Sequence, residues 1–97
     1  MAKKHWKETG AILYAVTRLY SGKHECHIEV IGNPKDGYKV FANAFSTQGG
    51  NGIIDEGQSF FDDYEIAIEF CERILIPRLM KKYGVMRKEV ESDKSKS

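Results

Sequence analysis

The run Gly32-Asn33-Pro34-Lys35-Asp36-Gly37 constrains this fold more than any other stretch of the chain. Pro34 presets a turn φ, and Asp36-Gly37 supplies residues that tolerate the exit geometry. A reversal between two alternating segments makes them an antiparallel hairpin. Upstream, His24 to Ile31 alternates strictly: His24, Cys26, Ile28 and Val30 point one way, and Glu25, His27 and Glu29 the other. That is the period of a strand with one buried and one wet face. Downstream, Tyr38 to Phe45 sets Val40, Ala42 and Ala44 against Lys39, Phe41, Asn43 and Phe45. The small residues mark the face on which a helix can lie close.

Before the hairpin, a strand from about Ala11 to Tyr20 carries β-branched and aromatic residues at its heart, ILYAVTRLY. Ile12, Tyr14, Val16 and Tyr20 share one face, and Leu13, Ala15 and Leu19 the other, so the strand is expected centrally or beneath a second layer. Ser21-Gly22 predicts a two-residue turn in which Gly22 supplies positive φ. After Phe45, STQGGNGIIDEGQ from Ser46 to Gln58 contains four glycines and reads either as a loop or as a loop entering a fourth strand at about Ile53 to Phe61.

A helix is predicted from Asp62 or Asp63, whose carboxylate can accept the free N–H groups of the first turn. Tyr64, Ala67, Ile68, Cys71, Ile74 and Leu75 recur at spacings of three and four, opposite Glu65, Glu69, Glu72 and Arg73. Ile66 and Phe70 widen the apolar arc. Pro77 interrupts the pattern, because it lacks an N–H and disfavours helical geometry at Ile76. Leu79, Met80 and Tyr83 resume it, and Gly84 suits a cap. The expected fold is therefore α+β: an antiparallel β-meander of three or four strands packed against one long C-terminal helix with a break near Pro77. Residues 1–8 form a basic N-terminal segment, 9–86 a single domain and 87–97, RKEVESDKSKS, a disordered tail too polar to offset its ordering entropy.

Composition limits the functions open to such a domain. The 97 residues carry 15 basic and 14 acidic side chains, a net charge of +1, so no global field draws in nucleic acid or an anionic membrane. The start, MAKKHWK, has three lysines but no apolar stretch behind it, so a secretory signal is not expected. No run approaches the ~18 apolar residues of a membrane helix. A cytoplasmic location is expected, with Cys26 and Cys71 as free buried thiols rather than a disulfide.

Catalytic and metal-binding patterns are weak. His24-Glu25-Cys26-His27 holds zinc-type donors, yet strand alternation separates His27 from His24 and Cys26. Neither cysteine stands in an exposing motif beside a histidine. Asp55, Glu56, Asp62 and Asp63 suit capping and solubility better than general acid–base work. Gly49-Gly50-Asn51-Gly52 lacks the Lys-Ser/Thr of a phosphate loop. No enzyme activity, cofactor or metal is expected.

The run Gly57 to Arg73, GQSFFDDYEIAIEFCER, after a meander resembles the strand-to-helix joint of plant AP2-type DNA-binding domains, which read DNA with a three-stranded sheet backed by a helix. The resemblance covers about a sixth of the chain. The loop from Ser46 to Gln58 has no counterpart there, and the basic, tryptophan-bearing strands are missing, so it assigns no family.

The expected function is that of a small interaction module, homodimeric and acting through protein contacts. Its dimer contacts would be Ile66, Phe70, Ile76 and Met80, or the outer sheet. The alternative is a nucleic-acid-binding domain using the outer sheet face and the basic N-terminus, with Lys3, Lys4, Lys7, Lys23 and Lys35 assisting. Arg18, Lys39, Phe41, Asn43 and Phe45 are the contact residues for a partner of either kind, because exposed rings beside cations can stack bases.

Overall fold

A computed structural model describes residues 5–8, 15–50 and 52–87. Six strands form one antiparallel sheet: β1 (Lys7–Glu8), β2 (Ala15–Tyr20), β3 (His24–Asn33), β4 (Gly37–Ser46), β5 (Ile54–Phe61) and β6 (Met86–Arg87). The order is β1-β2-β3-β4-β5, and β6 also pairs with β2. The meander thus exceeds the three or four strands expected. The undecided segment after the glycine loop is a strand, and two short strands close the far edge. The Ala11 to Tyr14 part of the predicted first strand, Lys3, Lys4 and residues 88–97 of the predicted tail lie outside the described residues.

The central hairpin forms as its turn chemistry requires. Asn33 Oδ1 accepts from the backbone N–H groups of Lys35 and Asp36 at 2.9 and 2.8 Å, while Gly37 leaves the turn at φ 90°. Ser21-Gly22 works differently from expectation. Tyr20 pairs with Glu25, and the Ser21 hydroxyl accepts from the N–H groups of Lys23 and His24 at 3.1 and 3.0 Å. The Ser21 N–H also donates to the His24 carbonyl at 2.9 Å, so the two turn residues are Gly22 and Lys23, closed by the Ser21 side chain, and Gly22 takes no positive φ.

Register carries the alternation across the sheet in rows. On the helix side these are Leu19–Cys26–Ala44, Thr17–Ile28–Ala42–Gly57 and Ala15–Val30–Val40–Ser59. All but Gly57 and Ser59 are buried. The helix lies over them as α1 (Tyr64–Phe70), a π-helical turn (Cys71–Leu75) and α2 (Ile76–Tyr83) in unbroken succession. Asp63 caps it, accepting from the Ile66 N–H at 3.2 Å. Gly84 ends it in the left-handed conformation, its N–H on the Met80 carbonyl at 2.8 Å.

Pro77 produces the π turn. Without its N–H the ordinary ladder cannot continue, and the Ile76 N–H reaches back five residues to the Cys71 carbonyl. One extra residue in the turn advances the helical phase by about 100°. Ile74, expected on the buried face, is therefore 54% exposed, whereas Ile76, expected as a dimer contact, is 2% exposed and belongs to the core. Phe70 and Met80, also expected at a dimer contact, are half-buried against that core. Of the four helix residues, Ile66 alone is largely exposed.

β1 and β6 are held by one polar cluster. Glu72 accepts from Trp6 Nε1 at 2.7 Å and from Arg87 at 2.7 and 2.8 Å. Arg87 also reaches the Thr17 hydroxyl at 3.2 Å, which donates to the His5 carbonyl at 2.8 Å. Residues 5–8, the described part of the N-terminal segment, therefore dock through Trp6. Arg87, expected to begin the tail, pairs with Leu19 because Glu72 neutralises it.

Glu72→Ala removes the shared acceptor of Trp6 and Arg87 and should cost about 1–3 kcal/mol. Trp6 is the single tryptophan, so its emission should shift to the red as the urea midpoint falls. Unchanged emission would show that Glu72 does not seat this segment. A Cβ on Gly32 would lie 2.0 Å from the Gly37 carbonyl oxygen, whereas one on Gly22 meets nothing within 4 Å. Gly32→Ala should destabilise by about 1–3 kcal/mol and Gly22→Ala by under about 0.5 kcal/mol, measured by urea unfolding.

Candidate functional site

The sheet has a second face, and among the described residues no element covers it. Its rows are Tyr20–Glu25–Phe45, Arg18–His27–Asn43–Asp55, Val16–Glu29–Phe41–Gln58 and Ile31–Lys39–Phe60. Met86 stands beside Tyr20, and Lys7 beside Val16. The five residues expected at a partner contact, Arg18, Lys39, Phe41, Asn43 and Phe45, are thus brought onto one surface. Sequence alternation missed Phe60, which is 56% exposed and whose ring lies close to Gly37.

Charges on this face alternate in sign. Glu29 is opposite Phe41, and Glu25 is opposite Phe45. Glu25 also engages His27 Nε2 at 2.9 Å and approaches Arg18 Nε at 3.9 Å. The His27 ring meets Phe45 edge-on at 5.1 Å. Lys7, Arg18 and Lys39 balance Glu25, Glu29 and Asp55, leaving an apolar band of Val16, Tyr20, Ile31, Phe41, Phe45, Phe60 and Met86 with no net field.

The zinc-type donors separate as their alternation implies. His24 packs against Tyr83 on the helix side at 5.1 Å, while His27 lies on the outer face. No group of three or more potential ligands clusters among the described residues. Cys26 and Cys71 are free and buried. Burial, with the nearby Glu56 and Glu25, pushes the Cys26 thiol up to about 11. Burial and Glu72 push Cys71 up to about 12 against the opposing effect of Arg87. Both are protonated at neutral pH and lack the thiolate a nucleophile needs. The glycine loop borders an apolar hollow of about 270 Å³ with Phe45, Ser46 and Ile53; Asn51 lies outside the described residues.

A second concave feature went unread in the sequence. β5 bulges between the partners of Ala42 and Asn43, so Glu56 is an extra residue turned toward the helix. Its carboxylate accepts from the Tyr83 hydroxyl, and from Lys82 Nζ at 3.2 and 3.3 Å. Burial works to raise the Glu56 carboxyl, but the hydrogen bonds from Tyr83 and Lys82, with the charges of Lys82 and Arg78, outweigh it and hold the group below its ordinary 4.5. Beside it a groove of about 230 Å³ runs between β5 and the helix, bounded by Val40, Gly57, Ser59, Phe70, Leu75 and Arg78. No periodicity announces this site, since the bulge breaks the alternation of β5 and the π turn sets the phase of Arg78.

No helix among the described residues is long and apolar enough to cross a membrane. Comparison with protein-family models, curated proteins and solved structures gives no match.

The Glu56 carboxyl, lowered on folding, adds stability above the unfolded value of 4.5, and that stability is lost as pH falls through the folded value. Glu56→Gln should lower stability at pH 7 by about 1 kcal/mol, a modest figure because Lys82 is half exposed. Urea midpoints from neutral pH to pH 3 should decline less steeply in the variant. Parallel acid limbs would show that Glu56 is not ionised differently in the two states.

Proposed function

We propose that this chain is a non-enzymatic, cytoplasmic protein-interaction module that forms a homodimer by packing the outer face of its sheet against the same face of a second copy. The observation that carries this reading is the apolar band on the open face, interleaved with charges of both signs. Within that band Tyr20, Ile31, Phe60 and Met86 are exposed and Val16, Phe41 and Phe45 half-buried; exposed apolar patches mark protein contacts, and sheets packed face to face interdigitate such side chains. Four strands spaced about 4.8 Å apart and roughly 26 Å long present about 500 Å² in projection. Side-chain relief increases the accessible area toward the ~800 Å² per partner of a stable interface. A two-fold axis also places a balanced charge set on itself, where Arg18 and Lys39 of one copy can meet Glu25, Glu29 and Asp55 of the other.

The helix is the weaker candidate for this contact, because Ile76 is core and Phe70 and Met80 are already packed. Binding of single-stranded nucleic acid on the same face is the competing reading, supported by Phe41, Phe45, Arg18 and Lys39. Against it, the neighbours of the two rings across the β3–β4 ladder are glutamates. A base stacked on either ring would bring its phosphate toward a carboxylate, and the face offers no cationic surplus to compensate.

Sedimentation at tens of micromolar should give a dimer. Phe41→Lys, which sets a lysine opposite Glu29 and so spares the fold, should give a folded monomer. A wild-type monomer would overturn the proposal. Salt-sensitive binding of a single-stranded oligonucleotide, abolished by the same substitution, would establish the competing reading instead.

A further inference from the structure

The two edges of the sheet are treated differently. On the outer side of β2, Ala15 and Val16 are paired by β1, and Leu19 and Tyr20 by β6. β5 pairs with β4 and, among the described residues, with nothing on its other side. It runs for eight residues without proline or lysine, with Ile54 and Phe60 exposed along it, and is interrupted only at the bulge, where Asp55 Oδ1 accepts from the Gly57 N–H at 2.9 Å. Such a strand offers a row of backbone donors and acceptors to another extended chain.

The groove beside β5 adds a second requirement for an added strand. Alternate side chains of a strand laid along β5 would point to the helix side. There they would meet the space between Gly57, Ser59, Phe70, Leu75 and Arg78. A Cβ on Gly57 would meet nothing within 4 Å, so the strand itself leaves this space open. Ladder hydrogen bonds along the edge and alternate side chains in an adjacent groove together make a peptide-recognition site.

Charge decides the occupant. Asp55 and Glu56 stand at one end of β5, and Asp62, Asp63 and Glu65 follow the other. On the helix side Lys82 is engaged by Glu56 and Arg73 by Glu69, and Arg78 stands on the groove wall. A second copy pairing its own β5 antiparallel would bring the Asp55–Glu56 end of one strand toward the Asp62–Asp63 end of the other. Like charges so placed oppose the contact. We infer that the β5 edge and its groove bind an extended basic segment of another protein, added to the sheet as a further strand, with lysine or arginine at both ends and small or apolar residues between. This edge adjoins the face assigned to self-association, whose rows end on Asp55, Gln58 and Phe60 of β5, but its ladder groups lie in the plane of the sheet.

The test uses the isotopically labelled full chain and two capped peptides of alternating valine and threonine, one with paired lysines at each end and one with paired glutamates. The lysine peptide should perturb and protect backbone amides of residues 54–61 and perturb those around the groove, and the glutamate peptide should bind about tenfold more weakly. The variant D62K alters an exposed position outside the outer-face rows and should narrow that difference. Phe41→Lys, monomeric if the outer face mediates self-association, should bind the lysine peptide as the wild type does. Equal affinity for the two peptides would overturn the inference, as would perturbations centred on Phe41 and Phe45. Protection of 54–61 that rises with protein concentration alone would place a second copy at the edge and overturn it as well.

Discussion

Pro77 cannot donate a backbone hydrogen bond, and the arrangement of the whole helical layer depends on how the chain absorbs that loss. A break or sharp kink would have divided the helix into two pieces, each too short to be stable without its own packing. The π turn at Cys71–Leu75 keeps the axis continuous and shifts the phase. Ile76 and Leu79 then complete the core over the sheet, Arg78 comes to the wall of the β5 groove, and Lys82 and Tyr83 arrive where Glu56 projects from its bulge. Two local irregularities, one in the helix and one in the strand, are thus matched to each other. π turns and β-bulges both recur near functional sites, where they redirect side chains.

One-sided cover is the second consequence. Among the described residues a single helix covers one face of a six-stranded sheet, and the core between them includes small residues of both layers, Ala42, Ala44 and Cys26 from the sheet and Ala67 and Cys71 from the helix. The surplus apolar surface that the sequence distributes between helix and sheet is therefore resolved unequally. The helix buries most of its own but leaves Ile66 and Ile74 half exposed, while Val16, Tyr20, Ile31, Phe41, Phe45, Phe60 and Met86 remain on the outer face. That imbalance shifts the expected dimer contact from Ile76 and Met80 to the sheet.

Much of this was legible in the sequence wherever a regular period met a regular element. The faces of His24–Ile31 and Tyr38–Phe45, the turn between them, the Asp63 cap, the Gly84 cap and the interruption at Pro77 all follow from local rules. Legibility fails where a period is broken. In β5 the extra residue Glu56 displaces Asp55 from the phase of Gly57, so neither alternation nor helical spacing scores well, and strand and loop read alike. β1 and β6 are two residues each, too short to carry a pattern. What selects them is tertiary: the Glu72 carboxylate, reached from Trp6 and Arg87 across the helix–sheet interface. The Ile74–Ile76 exchange needs knowledge of the π turn, because a proline in a helix permits a kink, a restart or a widened turn with equal local justification.

The sheet's two remaining surfaces, both proposed as contact sites, differ in what they offer a partner. A face is read through side chains, and the outer face offers rings and aliphatics in a balanced charge field, which suits a partner of similar composition. An edge is read through the backbone, so its selectivity must come from whatever flanks the ladder. At β5 those flanks are acidic at both ends, with a groove between them lined by Gly57, Ser59, Phe70, Leu75 and Arg78. An antiparallel copy of an acid-flanked strand meets its own charge, whereas a basic strand does not. On the proposed reading edge and face favour different partners, and the acidic flanks also oppose the edge-to-edge aggregation that an eight-residue strand with no neighbour on its outer side among the described residues would otherwise invite.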